Sequence, residues 1–210
     1  MLKSFKMFIT ESLREREHRP SEKLTQIRQI FRNTPELSEV GTIEQYRDWL
    51  DFIFPNSIVK DIVYHDTRSE EIEDSKLRPS REGVYGEGIY VQTKQEFTGT
   101  FGSKTLSLII DTKKPFPFHI GGEPNPIWKR IIDKHAKTKK YYFADTAKEE
   151  FREYIIDNGY DAIRTTEGAG NTYYILFNPE QVHILGSKDD IEGFKNFTLD
   201  LESSIWSKNK

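Results

Sequence analysis

Before Ser57 the apolar positions fall three and four residues apart. In residues 20–33, PSEKLTQIRQIFRN, Leu24, Ile27, Ile30 and Phe31 share one helical face, and in residues 42–54, TIEQYRDWLDFIF, Ile43, Tyr46, Trp49, Leu50 and Ile53 do the same. Thr42 with Gln45 three residues on makes a capping box, because the hydroxyl accepts from the third amide while the Gln side chain reaches back. From Ser57 the pattern turns to β-branched and aromatic runs: IVKDIVYH, GIYVQT, TLSLIID, DAIRTT, TYYILF and QVHIL, each predicted as a strand. Between them DTAKEEFREYIIDNGYDAI predicts a helix with a second capping box (Thr146, Glu149), an inner face of Phe151, Tyr154 and Ile155, and Gly159 just past its end. Residues 113–140 hold four of the nine prolines and two adjacent glycines, so they are predicted to be mostly loop.

Strands that mostly do not alternate with helices predict an α+β fold. The expected organisation is a leader or helix over residues 1–20, a helical extension over 21–56, a main domain over 57–187 and a C-terminal helix or tail over 188–210.

Composition narrows the function. The 210 residues carry a net charge of −3, which lacks the basic footprint of a general nucleic-acid binder. With no cysteine there is no disulfide, thiolate metal site or cysteine nucleophile. The histidines 18, 65, 119, 135 and 183 include no i, i+4 pair, and no metal is expected. No apolar stretch has the length of a membrane span, and the N-terminal residues become charged too soon for a signal-peptide core. Mean hydropathy is −0.70, yet 14 Phe, 10 Tyr and 3 Trp supply a core.

His65 in VYHDT (63–67) and Tyr90 in GEGIYV (86–91) are each unremarkable alone. Their setting is not. IVYHDT, GEGIYVQT, TLSLIIDTKKPF, NGYDAIRTT and TYYILFNPEQV follow one another in the order seen in ADP-ribosyltransferases, and each resembles its counterpart there. Those proteins carry YHGT on a first strand, G-x-G-x-Y-F-T on a second, a helix ending in GYDG and a final EYVVF-x-PEQI. The resemblance runs from about Thr42 to Leu185 and is strongest to the phage and polyvalent-protein branches of the His-Tyr-Glu class. It implies a split β-sheet core that takes NAD as substrate. His65 would hydrogen-bond ribose hydroxyls and Tyr90 would wall the slot for nicotinamide, with Asp66, Thr67 and the backbone of Gly88 completing the rim. Gly88 is expected there because glycine lets ligand and main chain approach closely.

Two positions depart from the family pattern. Asp66 stands where HGT has glycine. Tyr173 stands where the family has its catalytic glutamate, and the double-acid motif of arginine-specific transferases is absent from Asn171-Thr172-Tyr173. Glu167, in the glycine-containing loop RTTEGAGNT, is the candidate surrogate acid, while Glu180 is expected to belong to a turn.

The N-terminal MLKSFKMFITE resembles leaders that mark internal head proteins of T4-like phages. Phe5 and Phe8 fall on one helical face, and Ile9-Thr10-Glu11 and Leu13-Arg14-Glu15 resemble cut sites of a prohead protease. Together the resemblances imply a transferase carried in a phage head, acting in the host cytoplasm on a host protein or, less in keeping with the charge, nucleic acid.

Overall fold

The computed structural model describes residues 21–68, 76–81, 83–95, 99, 102, 104–119, 125–135, 145–167 and 170–206. The predicted leader and its cut sites lie outside them.

Three helices come first: α1 (Ser21–Asn33), the short α2 (Glu36–Val40), which the hydrophobic pattern did not reveal, and α3 (Ile43–Ile53). The capping box at Thr42 and Gln45 is formed as expected. These helices and the C-terminal α6 (Lys188–Trp206) bury Ile27, Ile30, Leu37, Tyr46, Leu50, Phe194 and Phe197 against Tyr64, Ile109 and Leu185. Tyr46 sits edge-on between Phe31 and Phe194, at 5.3 and 5.1 Å. At the edge of this core Asp190 is completely buried and four groups hydrogen-bond its carboxylate. Its carboxylate accepts from the Tyr46 hydroxyl, from Trp49 Nε1 at 3.1 Å, from the Gly186 amide at 2.8 Å and from His183 Nε2 at 2.8 Å. A buried carboxylate is tolerated because hydrogen bonds replace its lost water.

Seven strands form one sheet in the order β4-β5-β6-β2-β1-β3-β7. They are β1 (Val63–Thr67), β2 (Ile89–Gln92), β3 (Lys104–Ile110), β4 (Pro115–His119), β5 (Ala162–Glu167), β6 (Asn171–Leu176) and β7 (Val182–Ile184). All neighbours are antiparallel except β4 and β5. With an otherwise antiparallel sheet and a single crossover, from β4 through two helices to the parallel β5, the fold is α+β, as expected. One face of both halves contributes to a core of Val63, Leu106, Leu108, Ile110 and Ile184 with Ile89, Val91, Ala162, Tyr174 and Leu176.

The expectation of loop over residues 113–140 is overturned in two places. Residues 115–119 are the edge strand β4, and Pro126–His135 form α4. Proline was the misleading signal: at an edge the missing amide costs no ladder bond, so the two prolines of β4 are accommodated while Phe116 and Phe118 alternate inward. Phe118 and Trp128 then meet Phe151 of α5 (Asp145–Asp157), with ring centroids 5.7 and 4.8 Å away. The second predicted cap is also corrected. Asp145 is already helical, so Thr146 lies in the first turn of α5 and not at its N-cap. At the other end Gly159 has φ of +73°, and the Gly159 and Tyr160 amides reach Ile156 O and Ile155 O at 2.8 and 3.1 Å, the glycine-terminated stop that was expected.

Candidate active site

The sheet has a seam. β1 is held to β3 by five register pairs and β2 to β6 by four, but β1 and β2 share one, Tyr64 with Gln92. Where the next pair would form, the His65 ring takes its place and Nδ1 meets the Tyr90 carbonyl oxygen at 2.7 Å. A carbonyl only accepts, so Nδ1 carries the proton and Nε2 keeps its lone pair. Burial lowers the His65 pKa below the ordinary histidine value, opposed in part by the bond to Tyr90 and the charge of Asp66. The ring is therefore a neutral acceptor at pH 7, held in one tautomer by the neighbouring strand.

Tyr90 follows Gly88 and Ile89 and is half-buried. Its hydroxyl donates to Gly86 O at 2.7 Å and accepts from the Tyr85 amide at 3.0 Å, so both its roles are taken by the preceding turn. Desolvation pushes its pKa up. What it offers a ligand is the ring. Gly83 packs on that ring so closely that a Cβ there would overlap it, which explains the glycine.

Residues directly opposite across an antiparallel pair point to the same side. Tyr64, Gln92, Tyr173 and Thr165 thus form a row across β1, β2, β6 and β5. Tyr173 is half-buried beside Gln92, in the strand next to Tyr90. Glu167 is exposed at the end of β5, opposite Asn171 and on the same face as Tyr173. Burial, and after it the charge of Glu167, pushes the Tyr85 phenol up to about 12. Glu180 lies in a single 3-10 turn and pairs with Lys76 at 3.0 Å.

The rim residues are placed differently. Asp66 Oδ2 accepts from the Gly99 amide at 2.8 Å and Oδ1 from Thr105 Oγ1 at 2.9 Å, so this carboxylate ties the end of β1 to its surroundings. Thr67 ends β1, with Gly102 packed on its backbone. Gly88 is buried, and a Cβ there would meet Ile175 Cγ2 at 2.5 Å and Leu176 O at 3.0 Å. The glycine is thus required by packing of β2 on β6, a reason other than the ligand approach expected from sequence.

Tyr85, Gln92 and Asn171 are not among the residues expected at the site from sequence. Gln92, Thr165 and Asn171 are polar yet at most 5% exposed, all on the face of Tyr173. The available signal was a polar residue at an inward position of an otherwise apolar strand.

The family model described as ADP-ribosyltransferase in polyvalent proteins matches residues 60–190, more than half of the chain and the whole of the seam. The chain belongs to this family. The match spans His65, Tyr90, Glu167 and Tyr173, so all four lie inside an ADP-ribosyltransferase domain. No curated protein matches the chain. Among solved structures, the crystal structure of an anti-CRISPR protein is similar at 16% identity over 59% of this chain and 93% of that one, with a TM-score of 0.34. Among the described residues, no group of His, Cys, Asp and Glu gathers as a metal site and no helix is long and apolar enough to cross a membrane.

Proposed function

We propose that this ADP-ribosyltransferase binds NAD at the β1/β2 seam and transfers a single ADP-ribose to a protein of a bacterial host, the gene being of phage origin. The observation that carries this reading is the His65 ring set between two strands, its Nδ1 spent on Tyr90 O and its Nε2 lone pair free to accept from a ribose hydroxyl. Tyr90 supplies the adjacent aromatic wall. Asp66 and Thr67 shape the rim, with the Asp66 carboxylate held in place by the Gly99 amide and Thr105 Oγ1.

In the reaction the bond from the ribose anomeric carbon to nicotinamide breaks, its electron pair leaving with the pyridinium nitrogen as neutral nicotinamide. The oxocarbenium-like carbon takes a lone pair from the acceptor, which then loses its proton. Negative charge near that carbon lowers the barrier. Tyr173 offers a hydroxyl in place of the carboxylate, which brings no formal negative charge. Glu167, on the same face, or an acidic acceptor residue supplies it instead. A second reading rests on that same Tyr173: without a carboxylate at this position, the domain is a silent module that binds NAD, ADP-ribose or a protein. The leader resemblance fits carriage in a virion interior, with the prohead protease as a processing partner.

Labelled NAD incubated with the purified protein and a bacterial lysate separates the two. Transfer of label to a lysate protein supports the enzyme, and NAD binding with neither transfer nor nicotinamide release supports the silent module.

A further inference from the structure

We propose that Gln92 is a positioning residue for the substrate: its Nε2 donates a hydrogen bond to a hydroxyl of the nicotinamide ribose. This rests on the reading that NAD occupies the seam. The direction of every hydrogen bond around Gln92 follows from backbone groups whose chemistry is fixed. The Lys94 amide donates to Asn171 Oδ1 at 3.2 Å, so that atom is the oxygen and its partner is the NH₂. Thr93 Oγ1, accepting from the Thr172 amide at 3.1 Å, turns its own hydrogen to the same Asn171 Oδ1 at 3.4 Å. Asn171 Nδ2 therefore donates, and it does so to Gln92 Oε1 at 3.1 Å. Gln92 Nε2 is left at the end of this relay, with no protein acceptor among the described residues.

The residue carrying that donor is 5% exposed. Nε2 itself keeps contact with solvent, so a bound substrate can reach it. Its place selects the partner. Gln92 lies opposite Tyr173 on one side and Tyr64, the neighbour of His65, on the other, and is two residues from Tyr90. A neutral amide suits a neutral hydroxyl beside a carbon that becomes positive, where a lysine would oppose the developing charge. Gln92 Nε2 donates from the face of Tyr90 and Tyr173, while the His65 ring, turned into the seam toward Tyr90 O, accepts from the side of β1.

The test crosses a change in the protein with a change in the ligand, using the full chain and calorimetry. Wild type should bind NAD roughly three- to tenfold more tightly than one of the two analogues lacking a single nicotinamide-ribose hydroxyl. Gln92→Met, which keeps length and loses the donor, should bind NAD as weakly as wild type binds that analogue and should not distinguish the two. A folded variant that still distinguishes them overturns the assignment, as does a wild type that binds NAD and both analogues equally. If wild type binds no NAD, the proposal falls together with the reading on which it rests. Should Gln92→Met fail to fold, nitrogen-edited NMR of the unmodified protein decides: the Gln92 side-chain amide protons should shift with NAD and stay with the analogue. Their failure to shift with NAD that does bind overturns the proposal.

Discussion

At the level of single residues the His-Tyr pair is one device. Tyr90 contributes a carbonyl that fixes the tautomer of His65 and a ring whose hydroxyl is already committed to the turn before it. Two outcomes follow. The first concerns pH. Burial lowers the folded-state pKa of His65 below the unfolded value of about 6.5, so the unfolded chain binds more protons in between. The stability this contributes is fully present above about 6.5 and is lost as pH falls through the folded pKa. NAD affinity should likewise be level above neutrality and fall on acidification, as Nε2 is protonated and ceases to accept. Calorimetric titrations from pH 8 downward check this. The second concerns Tyr173. Replacing it by glutamate should raise NAD hydrolysis by roughly 10²-fold if a carboxylate there acts like other preorganised groups. Glu167→Gln then locates the charge wild type uses: a large fall in transfer assigns it to Glu167 at the end of β5, and an unchanged rate assigns it to the acceptor. His65, Tyr90 and Tyr173, which the sheet brings to the seam and the strand beside it, stand out in the sequence because each sits in a distinctive phrase. The linked Asn171 and Gln92 do not, since their meaning depends on a register that joins residues 79 apart.

Among the elements, those with an unbroken period were read correctly. The helix before Gly159 and the strands around His65, Tyr90 and Tyr173 all form. β4 and α4 were missed because proline and glycine dominate residues 113–126, and the edge position that makes Pro115 and Pro117 harmless is a property of the sheet. β1 is also shorter than its apolar run. Residues 58–62 precede the strand, with Ile58 exposed, and only Val63–Thr67 pair. The stop of α5 gives a direct check on local chemistry. Gly159 at φ +73° should resist replacement: Gly159→Ala is expected to cost about 1 kcal/mol or more in urea denaturation. Asp161, which accepts from Thr112 Oγ1 at 2.7 Å and the Lys113 amide at 2.6 Å, holds the chain on the far side of that turn.

In the molecule as a whole, the two helical layers cover opposite ends of one sheet face, with the seam between them. Helices from both ends of the chain meet at Asp190, which joins α3, β7 and α6 through four hydrogen bonds. Asp190→Ala would strand the buried Tyr46 hydroxyl and the Gly186 amide together. A loss of about 3 kcal/mol or more is expected, seen as a lower urea midpoint, with Asp190→Asn losing less because it keeps an acceptor. The contact joins residues 144 apart in the chain, which no local sequence pattern links.

The central claim, that the seam between β1 and β2 is an NAD site held by His65, is tested most directly by thermal unfolding of wild type and His65→Ala with and without millimolar NAD or a non-hydrolysable analogue. A ligand that binds only the native state raises the melting temperature by mass action. Wild type should gain stability and His65→Ala, otherwise folded, should gain none. A melting temperature that NAD leaves unchanged in wild type, or raises equally in both proteins, would contradict it.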